Sequence, residues 1–277
     1  MLIDSHQHFW DIARFSYDWM SPDSVLHRTI LPDDLRPHLS AAGIHRTVLV
    51  EAHGSLEETD WFLELAEAND FIAGVVAWVD LLAPGLPDRL DMYAEHPSFK
   101  GVRHKVHDEP NDDWLARSDV HTALDELACR DIPYDLLVRP QHLRHVPRLA
   151  ARHPDLRMVV DHIAKPRIAV GDDLASWSRD MKAVADIPTI SCKLSGMVTE
   201  ADHAAWKPSD LTPYVDAVVE MFGFNRLMFG SDWPVCELAS DYGRTLDALR
   251  HSLGSISASE EAAVMGGTAT CFYNLEA

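Results

Sequence analysis

The chain has 277 residues, 47% hydrophobic and 25% charged, a balance that supplies a large packed core and excludes an intrinsically disordered chain. Its 24 Lys and Arg stand against 44 Asp and Glu, a formal net charge of -20, and no basic stretch reverses it locally, which argues against nucleic-acid binding. Four Cys form no CxxC pair, Met-Leu-Ile-Asp-Ser-His is not a secretion leader, and no run of about 18 apolar residues offers a membrane span, so the expected compartment is the cytoplasm.

Short apolar runs alternate with amphipathic segments from end to end. The first run, 2–8, carries Asp4-Ser5-His6-Gln7-His8 and leads into an irregular connection, 9–31, with Trp10, Phe15, Tyr17 and Trp19. A helix opens at Pro32-Asp33-Asp34 and stops near Gly43. Strands are then expected at 47–51, 72–80, 101–106, 133–138, 158–163, 189–195 and 227–232, which with the first makes eight. Helices are expected at 56–69, 119–130, 141–153, 174–185, 211–222 and 242–253. The strands are rich in Val, Ile and Leu without strict alternation, as parallel strands covered on both faces should be.

Such βα alternation allows an open doubly wound sheet or a closed barrel. The position of the polar residues favours the barrel. His6 and His8, Glu51, Asp80, Arg103 and His104, Asp161 and His162, Ser195 and Asp232 all sit at C-terminal ends of strands. A barrel gathers those ends at one face, where its active site lies, whereas an open sheet spreads them along a line. No GxGxxG or GxxxxGK follows any strand. The expected fold class is therefore α/β, a single (β/α)8 TIM barrel over residues 1–277. Loop 9–31 is then a wall or lid over the site, or an aromatic cluster that packs on the rim.

His6 and His8 are two apart on a strand, so both imidazoles project to one side, where they can hold a divalent ion or polarise a carbonyl. An HxH alone is a weak signal in a chain with 16 His. Val160-Asp161-His162-Ile163-Ala164-Lys165-Pro166 adds a third imidazole at the sixth strand. Met228-Phe229-Gly230-Ser231-Asp232-Trp233-Pro234 adds a carboxylate at the eighth, costly at the mouth of an apolar core unless paired or bound to a cation. Arg103, His104 and Lys165 are candidates for substrate contact, with Glu51, Asp80, Tyr134 and Ser195 behind them. Alternatively, Arg103 and Lys165 neutralise Asp80, Asp161 or Glu51. His53, His104 and His107 also read as solvated loop residues, Asp161 as a partner to a histidine, and Trp233 as packing that fixes Asp232.

The HxH of the first strand, DHIAKP at the sixth, KLSG at 193–196, FGSDWP at 229–234 and the opening HQHFWD…RFSYDWM at 6–20 together resemble the amidohydrolase-2 branch of the amidohydrolase superfamily. Within it they resemble the sugar-lactonase group that includes L-fucono- and L-rhamnono-lactone hydrolases. The resemblance covers essentially the whole chain. It implies hydrolysis of a small sugar lactone in carbohydrate catabolism, with Asp232 as general base and His6, His8 and His162 polarising the carbonyl directly or through a metal. Arg103, His104, Lys165, Trp19 and Glu51 would contact the substrate. The same His6, His8, His162 and Asp232 would hold one zinc-like divalent ion, or the enzyme acts without metal. A two-ion site is disfavoured, because Lys105 lies where a bridging carboxylated lysine would sit but its neighbours differ from that pattern. The expected partner is a small-molecule lactone, with no nucleic acid and no membrane; the oligomeric state is not legible. Two further readings belong to other classes: a metal-dependent non-oxidative decarboxylase of an unsaturated or aromatic acid, and a binding protein on a degenerate barrel.

Overall fold

In the computed structural model, which describes residues 1–171 and 174–276, eight strands are hydrogen-bonded in chain order: β1 (Ile3–Gln7), β2 (Arg46–Val50), β3 (Ile72–Ala77), β4 (Phe99–His104), β5 (Tyr134–Leu136), β6 (Met158–Val160), β7 (Ile190–Leu194) and β8 (Leu227–Phe229). Every adjacent pair is parallel. The ends meet where the Asp232 N–H donates to His6 O and the His8 N–H to Trp233 O, both at 2.8 Å. The sheet thus closes, and the architecture is a single (β/α)8 barrel. Of the unit expected over 1–277, positions 172, 173 and 277 lie outside the described residues.

The helices begin and end where local chemistry directs. In Pro32–Ala42, a proline occupies the first turn, Asp34 accepts the Leu31 N–H at 2.8 Å, and Gly43 closes the helix at φ 69°. Leu56–Ala68 is capped by Ser55, and Tyr242–Leu253 by Asp241. The helix expected over 141–153 is instead a 3₁₀ segment, Pro140–His145, followed by a short α-helix, Val146–Arg152. Pro147 has no N–H to give to an α-helix running through it, and so stands in the first turn of a new one. The helix Leu86–Ala94, with a proline in its first turn, was not expected.

Two apolar regions hold the barrel. One lies between strands and helices; the other fills the barrel interior, where Ile3, Val48, Val50, Val76, Val159 and Met228 meet Ala269, Phe272, Tyr273 and Leu275. The helix Thr268–Phe272 therefore closes the N-terminal end of the strands. Gly266 allows this approach, since a Cβ there would run into the carbonyl of Met1. The opposite end is left for chemistry. Among the described residues, no helix is long and apolar enough to cross a membrane.

Candidate active site

A cavity of about 230 Å³ opens at the C-terminal ends of the strands. Its polar lining includes His8, His162 and Asp232, with Arg103, Lys105 and Lys165; His107 and Asp108 also border it. Trp19, Leu137 and Val235 make apolar wall. His6 sits just beneath, fully buried.

Four groups converge here. His6 Nε2 lies 3.2 Å from His8 Nε2, and Asp232 Oδ1 lies 3.4 Å from His8 Nε2 and 3.8 Å from both His6 Nε2 and His162 Nε2. The far nitrogens are tied down. His8 Nδ1 donates to Val50 O at 2.7 Å, and His162 Nδ1 lies 2.8 Å from Ser195 Oγ.

Backbone geometry explains why these side chains can meet. After β6 the chain turns through His162, Ile163, Ala164 and Lys165 at φ of 54°, 47°, 61° and 52°, which ends the strand at Val160 rather than near Ile163. A left-handed residue costs about 1–2 kcal/mol, so the run persists only where its surroundings dictate it. The Trp177 Nε1–H bonded to Ile163 O (2.8 Å) and the Lys165 N–H bonded to His162 O (2.8 Å) hold it. Asp232 is itself at φ 55°. Two glycines make room. A Cβ on Gly196, at φ 60°, would sit 2.5 Å from His162 Nδ1, and one on Gly230 would sit 2.6 Å from His6 Cβ. The KLSG and FGSDWP motifs thus carry their glycines for the sake of the histidines.

Beneath the cavity lies a buried layer of charge. Arg103 donates through Nε to Glu51 Oε1 (2.8 Å), through Nη2 to the Glu51 carbonyl, and through Nη1 to Asp161 Oδ2 (3.2 Å); Nη1 is also 3.2 Å from His6 Nε2. Lys193 Nζ lies 2.5 Å from Asp135 Oδ2, 3.0 Å from Asp161 Oδ1 and 3.1 Å from His6 Nδ1. Tyr273 donates to the same Asp135 oxygen at 2.7 Å. All of these side chains are buried, and their charges are tolerable only as a paired set. Burial and the Lys193 charge hold His6 well below the ordinary histidine range. Burial likewise lowers His162, against the pull of Asp232. Burial works to raise Asp232, but His162, His8 and Lys165 outweigh it and leave the carboxyl below its usual range, hence ionised at neutral pH.

Several expected contacts fall elsewhere. His104 turns from the cavity: its ring stacks on Trp114 at 4.2 Å and its Nε2 meets Glu109 at 2.7 Å. Glu51 does not face the cavity either: Arg103 pairs with it from the barrel interior and Lys105, on the cavity wall, lies with its Nζ 3.5 Å away. Asp80 is exposed and Tyr134 is fully buried away from the opening. Lys165 borders the cavity and also pairs with Glu200 at 2.8 Å. In loop 9–31, Phe15 and Tyr17 pack on His53 and Phe15 on Trp61, whereas Trp19 borders the cavity with its Nε1–H bonded to Ala52 O at 3.1 Å. Residues that sequence reasoning did not place are Asp108, Leu137 and Val235 on the wall and Asp135 and Lys193 below. The last two had a signal: each is a charged residue inside a short apolar strand.

The converging groups suit a metal. Ligands at about 2.0–2.2 Å around one tetrahedral zinc-like ion stand roughly 3.3 Å apart, close to the separations of 3.2–3.8 Å seen here. His6, His8 and Asp232 thus fit a single divalent ion in chemistry and spacing, while His162 reaches Asp232 at 3.8 Å but falls in a second set with His6 and Asp161. A second ion bridged by Lys105 does not fit, since that ammonium donates to Ala52 O at 2.6 Å.

Comparison with known proteins shows the family. Residues 3–275 match the family model described as amidohydrolase. An L-fucono-1,5-lactonase of Burkholderia ambifaria is 39% identical over 282 residues, covering 99% of this chain and 96% of that protein. A crystal structure of an amidohydrolase from Burkholderia multivorans with bound HEPES superposes with a TM-score of 0.93 at 38% identity, covering 100% of both chains. A second crystal form of a B. multivorans amidohydrolase, with bound zinc, matches at the same TM-score, identity and coverage. With a match that spans nearly the whole chain, a closed (β/α)8 barrel and an HxH–His–Asp cluster at its C-terminal face, this protein belongs to the amidohydrolase family.

Proposed function

We propose that this enzyme hydrolyses a small sugar lactone, an aldonolactone of a deoxy sugar such as L-fucose or L-rhamnose, to the aldonic acid in the cytoplasm. The observation that carries the reading is an ionised, buried Asp232 facing three imidazoles in a small cavity. Such a cavity takes one sugar ring. The B. ambifaria relative, named an L-fucono-1,5-lactonase, supports the substrate class. Trp19, Leu137 and Val235 offer apolar surface to a deoxy carbon, and Lys105, Lys165 and Asp108 offer partners for hydroxyls. Loop 9–31 supplies a wall of the site through Trp19.

The chemistry follows from these positions. Asp232 accepts a proton from water as the water oxygen bonds to the lactone carbonyl carbon. The carbonyl π electrons move onto oxygen, and the His162 ring and the Lys165 side chain, both bordering the cavity, stabilise the oxyanion. Collapse of this intermediate breaks the ring C–O bond, and Asp232 returns its proton to the leaving alkoxide. The balance is one water consumed and one hydroxy acid formed. A divalent ion held by His6, His8 and Asp232 would supply Lewis-acid polarisation of the carbonyl.

A pH-indicator screen over fucono-, rhamnono- and galactono-lactones, with and without chelator, tests the reading. Acid release is expected from at least one deoxy-sugar lactone, falling by about 10²–10⁴-fold in Asp232→Asn with the fold intact. No turnover across the panel, or CO2 release from unsaturated acids instead, would sink it.

A further inference from the structure

Ser55 caps the helix Leu56–Ala68 by accepting the Glu58 N–H. A glutamate in this place ordinarily returns to the N–H of the capping residue itself. Glu58 instead reaches past it. Its carboxylate accepts the N–H of Ala52 at 2.9 Å, that of His53 at 2.8 Å to each oxygen, and that of Gly54 at 3.4 Å. Three successive N–H groups turned onto one carboxylate form a nest for an anion, and Gly54, at φ 82°, supplies its left-handed residue. The Tyr17 hydroxyl stands 3.5 Å from the same group. Burial and the charge of Glu51 raise the carboxyl to about 7, against the nest and the Lys105 ammonium, so it is ionised at pH 8.

The other face of the turn belongs to the cavity. Ala52 borders it, and the Ala52 carbonyl accepts the Trp19 indole N–H at 3.1 Å and the Lys105 ammonium at 2.6 Å. Both of those side chains also border the cavity. The Ala52 C=O and the His53 N–H share one planar trans peptide and so point in opposite directions. A carboxylate that fixes the N–H on one side fixes the carbonyl on the other. We propose that Glu58 is a positioning residue for substrate binding: by aiming the Ala52–His53 peptide, it holds Trp19 and Lys105 in place on the cavity wall. The inference rests on the proposed lactonase site, where those two side chains meet the sugar, but its first test needs no turnover.

Glu58→Gln keeps the size of the side chain and sets an NH2 against the nest, where one oxygen is left to accept. In ¹⁵N-tryptophan-labelled protein at pH 8, the Trp19 indole is assigned by its loss in Trp19→Phe. Its Nε1–H signal is expected to shift toward that of free indole in Glu58→Gln and to exchange with water about tenfold faster. On the best lactone from the screen, KM is expected to rise roughly fivefold with kcat within about twofold, the pattern of a lost binding contact. Glu58→Asp keeps the charge but withdraws it by one methylene, and should move both readings in the same direction. Ser55→Ala weakens the same helix end without touching the nest, and should leave the indole signal and KM as in wild type. The proposal is overturned by an indole signal and exchange rate unchanged in Glu58→Gln and Glu58→Asp, by an equal change in Ser55→Ala, or by a loss of kcat at constant KM. Failure of the lactone screen leaves the indole measurement to decide, so the two readings fail separately.

Discussion

Gly196→Ala places one methyl group against the most constrained histidine of the site. The added Cβ would lie 2.5 Å from His162 Nδ1 and 2.7 Å from Cγ, where ordinary contact begins at 3.4 Å. The ring must retreat by about 0.9 Å, and displacements near 1 Å at a reacting centre cost roughly 10²-fold in rate. The movement also strips the 2.8 Å contact between Nδ1 and Ser195 Oγ, which fixes the ring's rotation. Separately, a side chain at φ 60° costs about 1–2 kcal/mol, a drop of several degrees in Tm for a domain of this size. The assay is kcat and KM on the best lactone from the screen, beside thermal unfolding by circular dichroism. We expect kcat to fall about 10²-fold while the protein stays folded at 25 °C. A variant with the Tm loss but kcat within twofold of wild type would refute the claim that Gly196 exists to seat His162.

Trp19→Ala removes a side chain that is 44% exposed yet borders the cavity, so KM should rise roughly tenfold with kcat nearly unchanged; a kcat loss at constant KM would remove Trp19 from the binding wall. Glu58 answers to pH. Burial, reinforced by the charge of Glu51, raises its carboxyl to about 7 from an ordinary 4.5. A raised acid binds more protons folded than unfolded, so its contribution is fully favourable below the unfolded value and is lost as pH climbs from about 4.5 to 7. The loss is on the order of 3 kcal/mol. Glu58→Gln should flatten the fall in urea-unfolding stability between pH 5 and pH 8 by about that amount, and an unchanged slope would contradict it.

The barrel was legible because its signals are local and repeated. Apolar runs with polar residues at their C-terminal ends predict both the closed sheet and the meeting of His6, His8, His162 and Asp232 around one point. What sequence could not supply is direction. His104 and Arg103 are neighbours on one strand, so alternation sends them to opposite faces: Arg103 toward the barrel interior, His104 outward onto Trp114. Glu51 looked like a contact residue because its position is right, but Arg103 draws it below the cavity floor. Asp108, Leu137 and Val235 reach the wall from segments that follow strands, where backbone dihedrals rather than periodicity decide which side chain points inward. The left-handed run at 162–165 contains Ile163, a β-branched residue that propensity assigns to a strand, so the expected strand overran its true end.

Tyr273 gives the molecule a vectorial problem during synthesis. Its hydroxyl donates to Asp135 Oδ2, its ring lies 5.4 Å from Lys193 Nζ, and Phe272 and Leu275 fill the barrel beside it. A nascent chain with residues 1–260 outside the ribosome has all eight strands, but its inner charge layer lacks a donor and the barrel floor stands open. Such an intermediate exposes apolar strand ends until the segment 268–275 swings in, so any fusion that slows that docking lengthens the life of an aggregation-prone species.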